Sequence, residues 1–259
     1  MAARLVSAVG FYGPKRGSLR DLLAGVQAMI TSHIGDSFLP YTLDQVHATL
    51  ISLDGVRDQE TGTVVNGYYL EHTGTRREMD LRQVTDILTG RFQDPLRVRI
   101  GGFGRRQEVP FSSLGQHPFE RTFSVRGNAF VLIGWPVASL SGPARPLDEL
   151  RREMNAANVL HKYHPGDADV DNDLHLVLGH YFGDPAGALA EAPAGALQGV
   201  VDAVRDRLAA DPVELDIGLD EVKIVASDST TLAPPLYVSA IPADETILRA
   251  LMSGSAELS

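Results

Sequence analysis

The chain has 259 residues, of which 44% are hydrophobic and 22% are charged, and its formal net charge at pH 7 is −10. That length and apolar content suit one large domain or two closely packed lobes. The absence of cysteine excludes disulfides, thiolate nucleophiles and cysteine-ligated zinc, and the acidic balance argues against sequence-independent binding to long nucleic acid.

No apolar run in the sequence approaches the length of a membrane span. The N-terminal segment MAARLVSAVGFYGPKRG holds one short apolar run without a convincing cleavage site, so we expect no signal peptide. These features predict a soluble, cytoplasmic protein that makes no membrane contact.

Hydrophobic periodicity predicts an alternation of strands and helices along the chain. In the first half we expect strands over 4–13, 44–53, 64–72, 95–103, 122–127 and 128–137, a helix over 18–35 with Ser18 as its N-cap and Gly35 as its stop, and a helix over 79–90. In the second half we expect a helix over 148–160 capped by Asp148, a polar loop over 161–173, a strand over 174–183, a helix over 195–210, strands over 213–229 and 234–243, and a short last helix. Strands and helices mixed in this order, with hairpins and crossovers, predict a protein of the α+β type.

Two of the predicted strands carry a histidine among apolar residues. In DQVHATLISL (44–53), His47 and Thr49 are two positions apart, and in the strand over 174–183 His175 and Val177 have the same spacing. Side chains at positions i and i+2 lie on one face of a strand, about 6–7 Å apart along it. Each strand therefore turns its histidine to one face and its flanking apolar residues to the other.

Two imidazoles that face one cleft suit acid–base chemistry at neutral pH, because one ring can take a proton while the other gives one. A hydroxyl beside them would hold a non-bridging phosphate oxygen, and no metal is needed. Taken alone, His47 also suits a hydrogen-bonded core histidine, with Thr49 simply a good strand former.

The pattern resembles the two-histidine phosphoesterase superfamily, which includes 2′,5′ RNA ligase-like proteins and cyclic nucleotide phosphodiesterases. The mark of that superfamily is two copies of His-x-Thr/Ser, each on a strand of a different lobe. HATL at 47–50 matches the first copy, HLVL at 175–178 matches the second in its histidine only, and the order of elements agrees along nearly the whole chain. The resemblance implies a bilobal α+β fold in a single domain over 1–259, with two mixed or antiparallel sheets and outer helices around a central cleft.

The resemblance also implies a function: metal-independent cleavage, or ligation, of a 2′,3′-cyclic or 2′,5′ phosphodiester in a nucleotide or an RNA end. His47 and His175 are then the acid–base pair, and Thr49 binds phosphate. No metal or other cofactor is expected, and which histidine is the acid stays open. The implied partner is a nucleotide or RNA-end substrate, and the sequence indicates no protein partner.

Val177 stands where the second hydroxyl belongs, and two interpretations follow. Either a backbone N–H, an arginine or another side chain replaces the hydroxyl, or the site is degenerate and the protein is a nucleotide- or protein-binding module of the same fold. The loss of one preorganised donor can lower a rate by roughly 10²–10³. A third interpretation, an accidental resemblance, predicts that the two histidines do not share a cleft.

Three more residues flank the two motifs. Tyr12 lies at the end of the first strand and Tyr181 follows the second motif. Each tyrosine is a candidate for stacking on a base, although such rings more often belong to a core. His180 lies five positions after His175, so strict alternation turns it to the opposite face of the strand.

The polar loop HKYHPGDADVDND (161–173) alternates acidic residues near two histidines. It departs from the calcium-loop pattern, because Asn172 stands at the position of the turn glycine and Leu178 at that of the last glutamate. We expect a solvated loop whose carboxylates, Asp169 and Asp171 among them, limit which phosphates enter if the loop covers the cleft.

Two other patterns have ordinary interpretations. GGFG at 101–104 has no Lys-Ser/Thr after it and predicts a turn or bulge instead of a phosphate loop. Arginines also cluster between 91 and 126, where they are either solvated strand ends or a binding patch: Arg97, Arg99, Arg105, Arg106 and Arg121.

Overall fold

The computed structural model describes residues 5–57, 61–164, 166, 170–182 and 197–252. The strands in these ranges are β1 (Leu5–Gly10), β2 (Phe38–Pro40), β3 (Ala48–Ser52), β4 (Gly55–Arg57), β5 (Val64–Asn66), β6 (Leu96–Ile100), β7 (Phe123–Arg126), β8 (Ala129–Pro136), β9 (Leu174–Tyr181), β10 (Val213–Ile217), β11 (Val222–Ser227) and β12 (Tyr237–Ala240). The helices are α1 (Gly17–Ile34), α2 (Gly67–Thr73), α3 (Leu81–Phe92), α4 (Pro118–Arg121), α5 (Pro146–Glu153), α6 (Gln198–Ala210) and α7 (Glu245–Met252). None of the described helices has the length and apolar character of a membrane span.

One large sheet organises the protein. Its strand order is β10-β6-β8-β9-β3-β1-β11-β12, with β2 also paired to β9 and β7 also paired to β8, while β4 and β5 form a separate two-stranded ribbon. Each of these pairs is antiparallel. The predicted α+β class is confirmed, with antiparallel pairing among the described strands.

The two strands that carry the histidine motifs are neighbours at the middle of this order. A single residue pair, Ala48 with Leu176, joins β3 to β9. The strands on the β9 side and those on the β3 side are thus two halves of the sheet that separate at this point. The division of a single domain into two lobes stays a prediction.

Helix α1 covers the core face of the sheet. Its buried side chains are Leu19, Leu22, Leu23, Val26 and Ile30, and their spacing of three or four residues forms one apolar stripe. The burial of each such side chain contributes roughly 1.5–3 kcal/mol. The stripe packs against α6 and β10, so α1 links elements that are far apart in the sequence.

Helices α1 and α5 begin at residues other than those predicted. Gly35 ends α1 as predicted, with φ of 53°, but Ser18 is not the N-cap, because α1 already begins at Gly17 after an extended Arg16. Helix α5 begins at Pro146, whose fixed φ suits the first turn. Asp148 therefore lies inside α5 as a buried acid instead of capping it.

The predicted strand over 64–72 is half strand and half helix. Strand β5 ends at Asn66, whose side-chain oxygen accepts a hydrogen bond from the backbone of Tyr69, 2.9 Å away. Asparagine is a strong helix N-cap, so α2 begins directly after it. The aromatic residues of GYYLEHT, which favour a strand by propensity, are thereby taken into a helix.

Strand β9 contains a bulge that changes which residues face which side. Strand β8 pairs Val131 with Val177 and Phe130 with Gly179, so Leu178 is an extra residue on β9. A bulge of one residue reverses the alternation of faces beyond it. His180, which pairs with Ala129, therefore lies on the same face as His175 and Val177.

The prediction that His180 faces the opposite side of β9 is consequently wrong. Strict alternation holds only while strands pair residue for residue, and the bulge interrupts it two positions before His180. The same interruption turns Tyr181 toward the main core, where it is partly buried.

Gly179 makes this bulge sterically feasible. Its φ is +150°, and a Cβ there would lie 2.3 Å from the backbone oxygen of Leu39 and 2.8 Å from Cα of Pro40. Backbone atoms cannot move aside as a flexible side chain can. Strand β2 therefore approaches β9 closely only because position 179 has no side chain.

We expect Gly179→Ala to destabilise the protein, by about 1–3 kcal/mol for the strained backbone alone and by more for the contact with β2. Gly90→Ala is the matched control, since Gly90 lies inside α3 with nothing within 4 Å of its added Cβ. That substitution should stabilise the protein by about 0.5–1 kcal/mol. Urea unfolding of the two variants measures both changes, and equal stabilities would contradict the account of the bulge.

Candidate active site

A cavity of about 490 Å³ lies over the junction of β3 and β9. It is lined by the four motif residues His47, Thr49, His175 and Val177. The structure thus brings together the predicted acid–base pair, the predicted phosphate-binding hydroxyl and the position of the missing one. An accidental resemblance, which predicted that the histidines do not share a cleft, is not supported.

The register of β3 and β9 arranges the motifs diagonally. Ala48 pairs with Leu176 in an antiparallel ladder, so the same register sets Thr49 opposite His175 and His47 opposite Val177. Opposite side chains in such a ladder are about 5 Å apart at Cβ, and diagonal ones about 7–8 Å. Each histidine is therefore beside the hydroxyl position of the other motif.

His47 lies one residue before β3, and one hydrogen bond fixes its ring. Its Nδ1 is 2.8 Å from the carbonyl oxygen of Gln45, and a carbonyl only accepts. Nδ1 therefore carries the proton, which leaves a lone pair on Nε2. Burial lowers the pKa of His47, against the opposing effect of the Gln45 carbonyl and with a further lowering by Lys15.

Tyr12 supports this ring. Its ring centroid is 5.8 Å from that of His47, and its hydroxyl donates to the backbone oxygen of Leu232 over 2.6 Å. Tyr12 does not line the 490 Å³ cavity. Tyr12 thus packs beside His47 outside the cavity lining, and its contact with a substrate stays a prediction.

His175 has a different partner from His47. Its Nε2 lies 3.2 Å from Nη1 of Arg126 and 4.0 Å from Oδ2 of Asp173. A guanidinium only donates, so Nε2 accepts and the ring proton lies on Nδ1. Burial lowers the pKa of His175, which outweighs the raising effect of Asp173, while Arg126 lowers it further.

Arg151 fills the split between the two motif strands. Its guanidinium donates to the backbone oxygens of Thr49 and Leu50 on one side and of Asp171 and Asp173 on the other, over 2.8–3.4 Å. The side chain is only 1% exposed. Five N–H donors in a rigid fork suit this task, because the separating strands leave these oxygens without ladder partners.

A second buried arginine organises the segment before β9. Arg121 lies 2.7 Å from Oδ2 of Asp173, whose Oδ1 also accepts from the indole N–H of Trp135 over 2.7 Å. Ser113 donates to the same carboxylate over 2.6 Å. Asp173, two residues before His175, is therefore held by three donors from three separate elements.

The prediction of a solvated loop over 161–173 is wrong for four of its described residues, which are buried: His161, His164, Asp171 and Asp173. Four others are exposed: Lys162, Tyr163, Gly166 and Val170. Asp171 is buried, with Oδ2 2.8 Å from Nε2 of His161 and 3.2 Å from Nη1 of Arg151. Burial acts to raise the pKa of Asp171, but the His161 hydrogen bond and the Arg151 charge outweigh it and hold the pKa low. The loop is polar because it pairs its charges internally, which composition alone does not reveal.

The remaining acidic residues of that loop give a mixed result. Asp167 and Asp169 lie outside the described residues, so their predicted effect on substrate entry stays a prediction. Asp171 lines the cavity, though as a paired carboxylate. Within the part of the chain that the structure describes, no group of three or more His, Asp or Glu side chains is arranged to hold a metal ion.

Tyr181 does not line the cavity, whereas Tyr41 on the neighbouring segment does. The hydroxyl of Tyr41 is 2.6 Å from Nε2 of His180, whose Nδ1 is 3.2 Å from Asn128. The bulge in β9 is the reason, since it turns Tyr181 to the core and His180 to the face of the sheet that carries His175 and Val177. The predicted contact of Tyr181 with substrate is thus not supported by its position.

The arginine cluster divides into two kinds. Most of its members form exposed ion pairs: Arg97 with Asp216, Arg99 with Glu214, and Arg105 with Asp202 and Asp206. Arg121 is buried, and Arg126, at the end of the cluster, lines the cavity. The alternation of Phe123, Ser124, Val125 and Arg126 was the available sequence signal, because it puts Arg126 on the face opposite the core.

Solved structures that align with most of the chain do so at low identity. A conserved protein of unknown function, ATU0111 from Agrobacterium tumefaciens, aligns over 92% of this chain and 86% of its own, with 11% identity and a TM-score of 0.47. Escherichia coli LigT, solved with 3′-AMP, aligns over 94% of this chain and 100% of its own, with 12% identity and a TM-score of 0.37. Kluyveromyces marxianus Usb1, solved with uridine monophosphate, aligns over 92% and 98%, with 12% identity and a TM-score of 0.40.

Structural neighbours of the chain thus include two members of the two-histidine phosphoesterase superfamily, LigT and Usb1. No family model matches the sequence, and no curated protein matches it. At identities of 11–12% and TM-scores below 0.5, these alignments decide nothing about the chemistry of the site, which rests on its own geometry.

We expect Arg151→Met to destabilise the protein by about 3–5 kcal/mol, because it removes the cationic partner of the buried Asp171 carboxylate and the donor to four backbone oxygens. Urea unfolding gives the change. The matched control is Arg97→Met, which removes an exposed ion pair on β6 and should leave the unfolding midpoint nearly unchanged. Similar midpoints for the two variants would contradict the role given to Arg151.

Stability should fall as the pH drops from about 6.5 to about 4. Burial lowers the pKa of His161 to about 4, from an ordinary value of 6.5, so in this window the unfolded chain binds a proton that the folded protein does not. The loss is up to about 1.4 kcal/mol per pH unit for one such histidine. Urea unfolding at pH 7, 6 and 5 should give a shallower pH slope for His161→Gln than for the wild type, and identical slopes would contradict this assignment.

Proposed function

We propose that the protein is a two-histidine phosphoesterase that cleaves, or in reverse ligates, a 2′,3′-cyclic or 2′,5′ phosphodiester in a nucleotide or an RNA end. The observation that carries the proposal is the shared cavity of His47, Thr49 and His175. Two imidazoles on opposite strands, a hydroxyl and a guanidinium around one cavity are the groups that an in-line displacement at phosphorus needs.

The proposed hydrolysis needs one base and one acid. Water attacks phosphorus while one imidazole takes its proton, and the P–O bond to one ribose oxygen breaks while the other imidazole protonates that oxygen. The product is a phosphomonoester with a free ribose hydroxyl, and the two rings exchange protons with solvent afterwards. Thr49 donates to a non-bridging oxygen of the phosphate throughout.

His47 is the better base of the two in the unbound protein. Its ring proton is on Nδ1, held by the Gln45 carbonyl, and no described residue hydrogen-bonds Nε2, whose lone pair is available. Nε2 of His175 is instead occupied by Arg126. We therefore assign proton abstraction from water to His47 and leaving-group protonation to His175.

A second function, a nucleotide-binding module without turnover, is favoured by one observation. Val177 gives the second motif no hydroxyl, and the cation of Arg126 beside His175 opposes protonation of that ring. In this alternative the cavity keeps its phosphate-binding groups and lacks a competent acid. Binding without hydrolysis distinguishes it from the enzyme.

The test is hydrolysis of the four 2′,3′-cyclic nucleotides and a 2′,5′-linked dinucleotide, with and without EDTA. We expect wild-type turnover that resists EDTA and falls by roughly 10²–10⁴ in both His47→Ala and His175→Ala, since general acid–base catalysis contributes that much. Arg97→Met, far from the cavity in an exposed ion pair, is the control and should keep wild-type rates.

Three outcomes separate the alternatives. Turnover that survives both histidine substitutions would rule out the proposed mechanism. Binding of a nucleotide by a wild type that hydrolyses none of the panel would favour the binding module. Turnover that EDTA abolishes would contradict metal independence. The two histidine variants would still test whether the reaction takes place in this cavity.

A further inference from the structure

The side chain of Arg126 crosses the front of the sheet to reach the second histidine. Arg126 on β7 pairs with Ala129 on β8, and the one strand β8 lies between β7 and β9. Its guanidinium nevertheless lies 3.2 Å from Nε2 of His175 on β9. Val131 and Val177, which pair with each other on β8 and β9, line the same cavity as Arg126 and His175.

The hydroxyl missing at Val177 and the guanidinium of Arg126 belong to the same part of the cavity. The aliphatic stem of an arginine packs well on apolar side chains while its charged end stays polar, and Val131 and Val177 are apolar side chains of the same cavity lining. The missing hydroxyl and the crossing arginine are two parts of one arrangement.

The guanidinium also has donor capacity that the protein does not use. Its Nη1 contacts His175, whereas Nη2 has no hydrogen-bond partner among the described residues and is shielded from solvent. Buried polar groups normally have a partner, and a guanidinium matches the paired oxygens of a phosphate. An unused donor of this kind in a cavity indicates an anion-binding position.

We propose that Arg126 binds the non-bridging phosphate oxygens at the second motif, in place of the hydroxyl that position 177 lacks. The reacting anion, a phosphodiester, rests on the function proposed above, whereas the anion-binding position itself does not. In this arrangement a charged guanidinium, which can donate two hydrogen bonds to the phosphate, replaces a neutral hydroxyl.

Phosphate binding at Arg126 has a consequence for His175. The charged groups around that ring are Asp171 and Asp173 on the segment before β9, Arg126 on β7 and Arg151 on α5. When Arg126 turns to a phosphate, Nε2 of His175 loses its cationic donor and gains an anionic neighbour. Both changes favour a proton on Nε2, the atom that must protonate the leaving oxygen.

Binding of inorganic phosphate tests the proposal without turnover. The ring signals of His175, assigned by their loss in His175→Ala, are followed by NMR during a phosphate titration. We expect Arg126→Met to weaken phosphate binding at least about tenfold, Arg126→Lys to weaken it less because the charge remains, and Arg97→Met to stay within about twofold of wild type. Equal phosphate affinity in wild type and Arg126→Met would overturn the proposal.

Restoring the hydroxyl gives a second test that a merely structural role would not pass. In the Arg126→Met background, Val177→Thr should recover at least about tenfold of the lost kcat/KM on a 2′,3′-cyclic nucleotide, while in wild type the same change should bring no gain. If Arg126→Met fails to fold, the comparison is made in Arg126→Lys. An equal effect of Val177→Thr in both backgrounds would overturn the exchange of hydroxyl for guanidinium.

The two proposals fail in different ways. If His47→Ala and His175→Ala lose activity but Arg126→Met keeps wild-type kcat and KM, the phosphoesterase stands and the role of Arg126 falls. If no substrate of the panel is hydrolysed but phosphate binding depends on Arg126, the anion site stands and the enzyme falls. Each result therefore decides one proposal without the other.

Discussion

The site depends on the hydrogen bonds that the Arg151 guanidinium makes between β3 and the segment before β9. β3 and β9 pair at one residue and then separate, and Arg151 takes the backbone oxygens that the broken ladder leaves over. Without these bonds, four buried acceptors would face an apolar interior. The separation creates the cavity, and Arg151 makes the separation tolerable, so binding space and stability have the same origin.

The burial that holds the sheet together also sets the protonation of the site. The pKa values of His47 and His175 are both lowered by burial before any other effect. Asp171 and Asp173 lie nearby, each within ion-pair distance of a buried arginine. The unbound cavity thus offers neutral imidazoles in front of a compensated layer of charge, an environment whose balance an entering anion changes directly.

A feature of the fold can be predicted from the sequence when it depends only on residues close to it in the chain. The common face of His47 and Thr49 follows from the period of a strand, and Gly35 ends α1 because its conformation suits glycine. The faces of His180 and Tyr181 did not follow, because a bulge at Leu178 is set by how β8 and β2 pair with β9. Arg126 and Arg151 act on residues far away in the sequence, and no pattern in one chain states which strand a long side chain will cross.

The diagonal arrangement of the motifs gives the cavity an approximate two-fold axis through the Ala48–Leu176 pair. Were both motifs complete, a phosphodiester turned end for end would meet the same groups. Val177 and Arg126 break that equivalence, since Val177 lacks the hydroxyl that Thr49 carries and the Arg126 cation lies beside His175. For a phosphodiester bound as proposed, the two orientations of an unsymmetrical ligand therefore differ in energy, and Arg126 on β7 selects which end of the ligand lies beside His175.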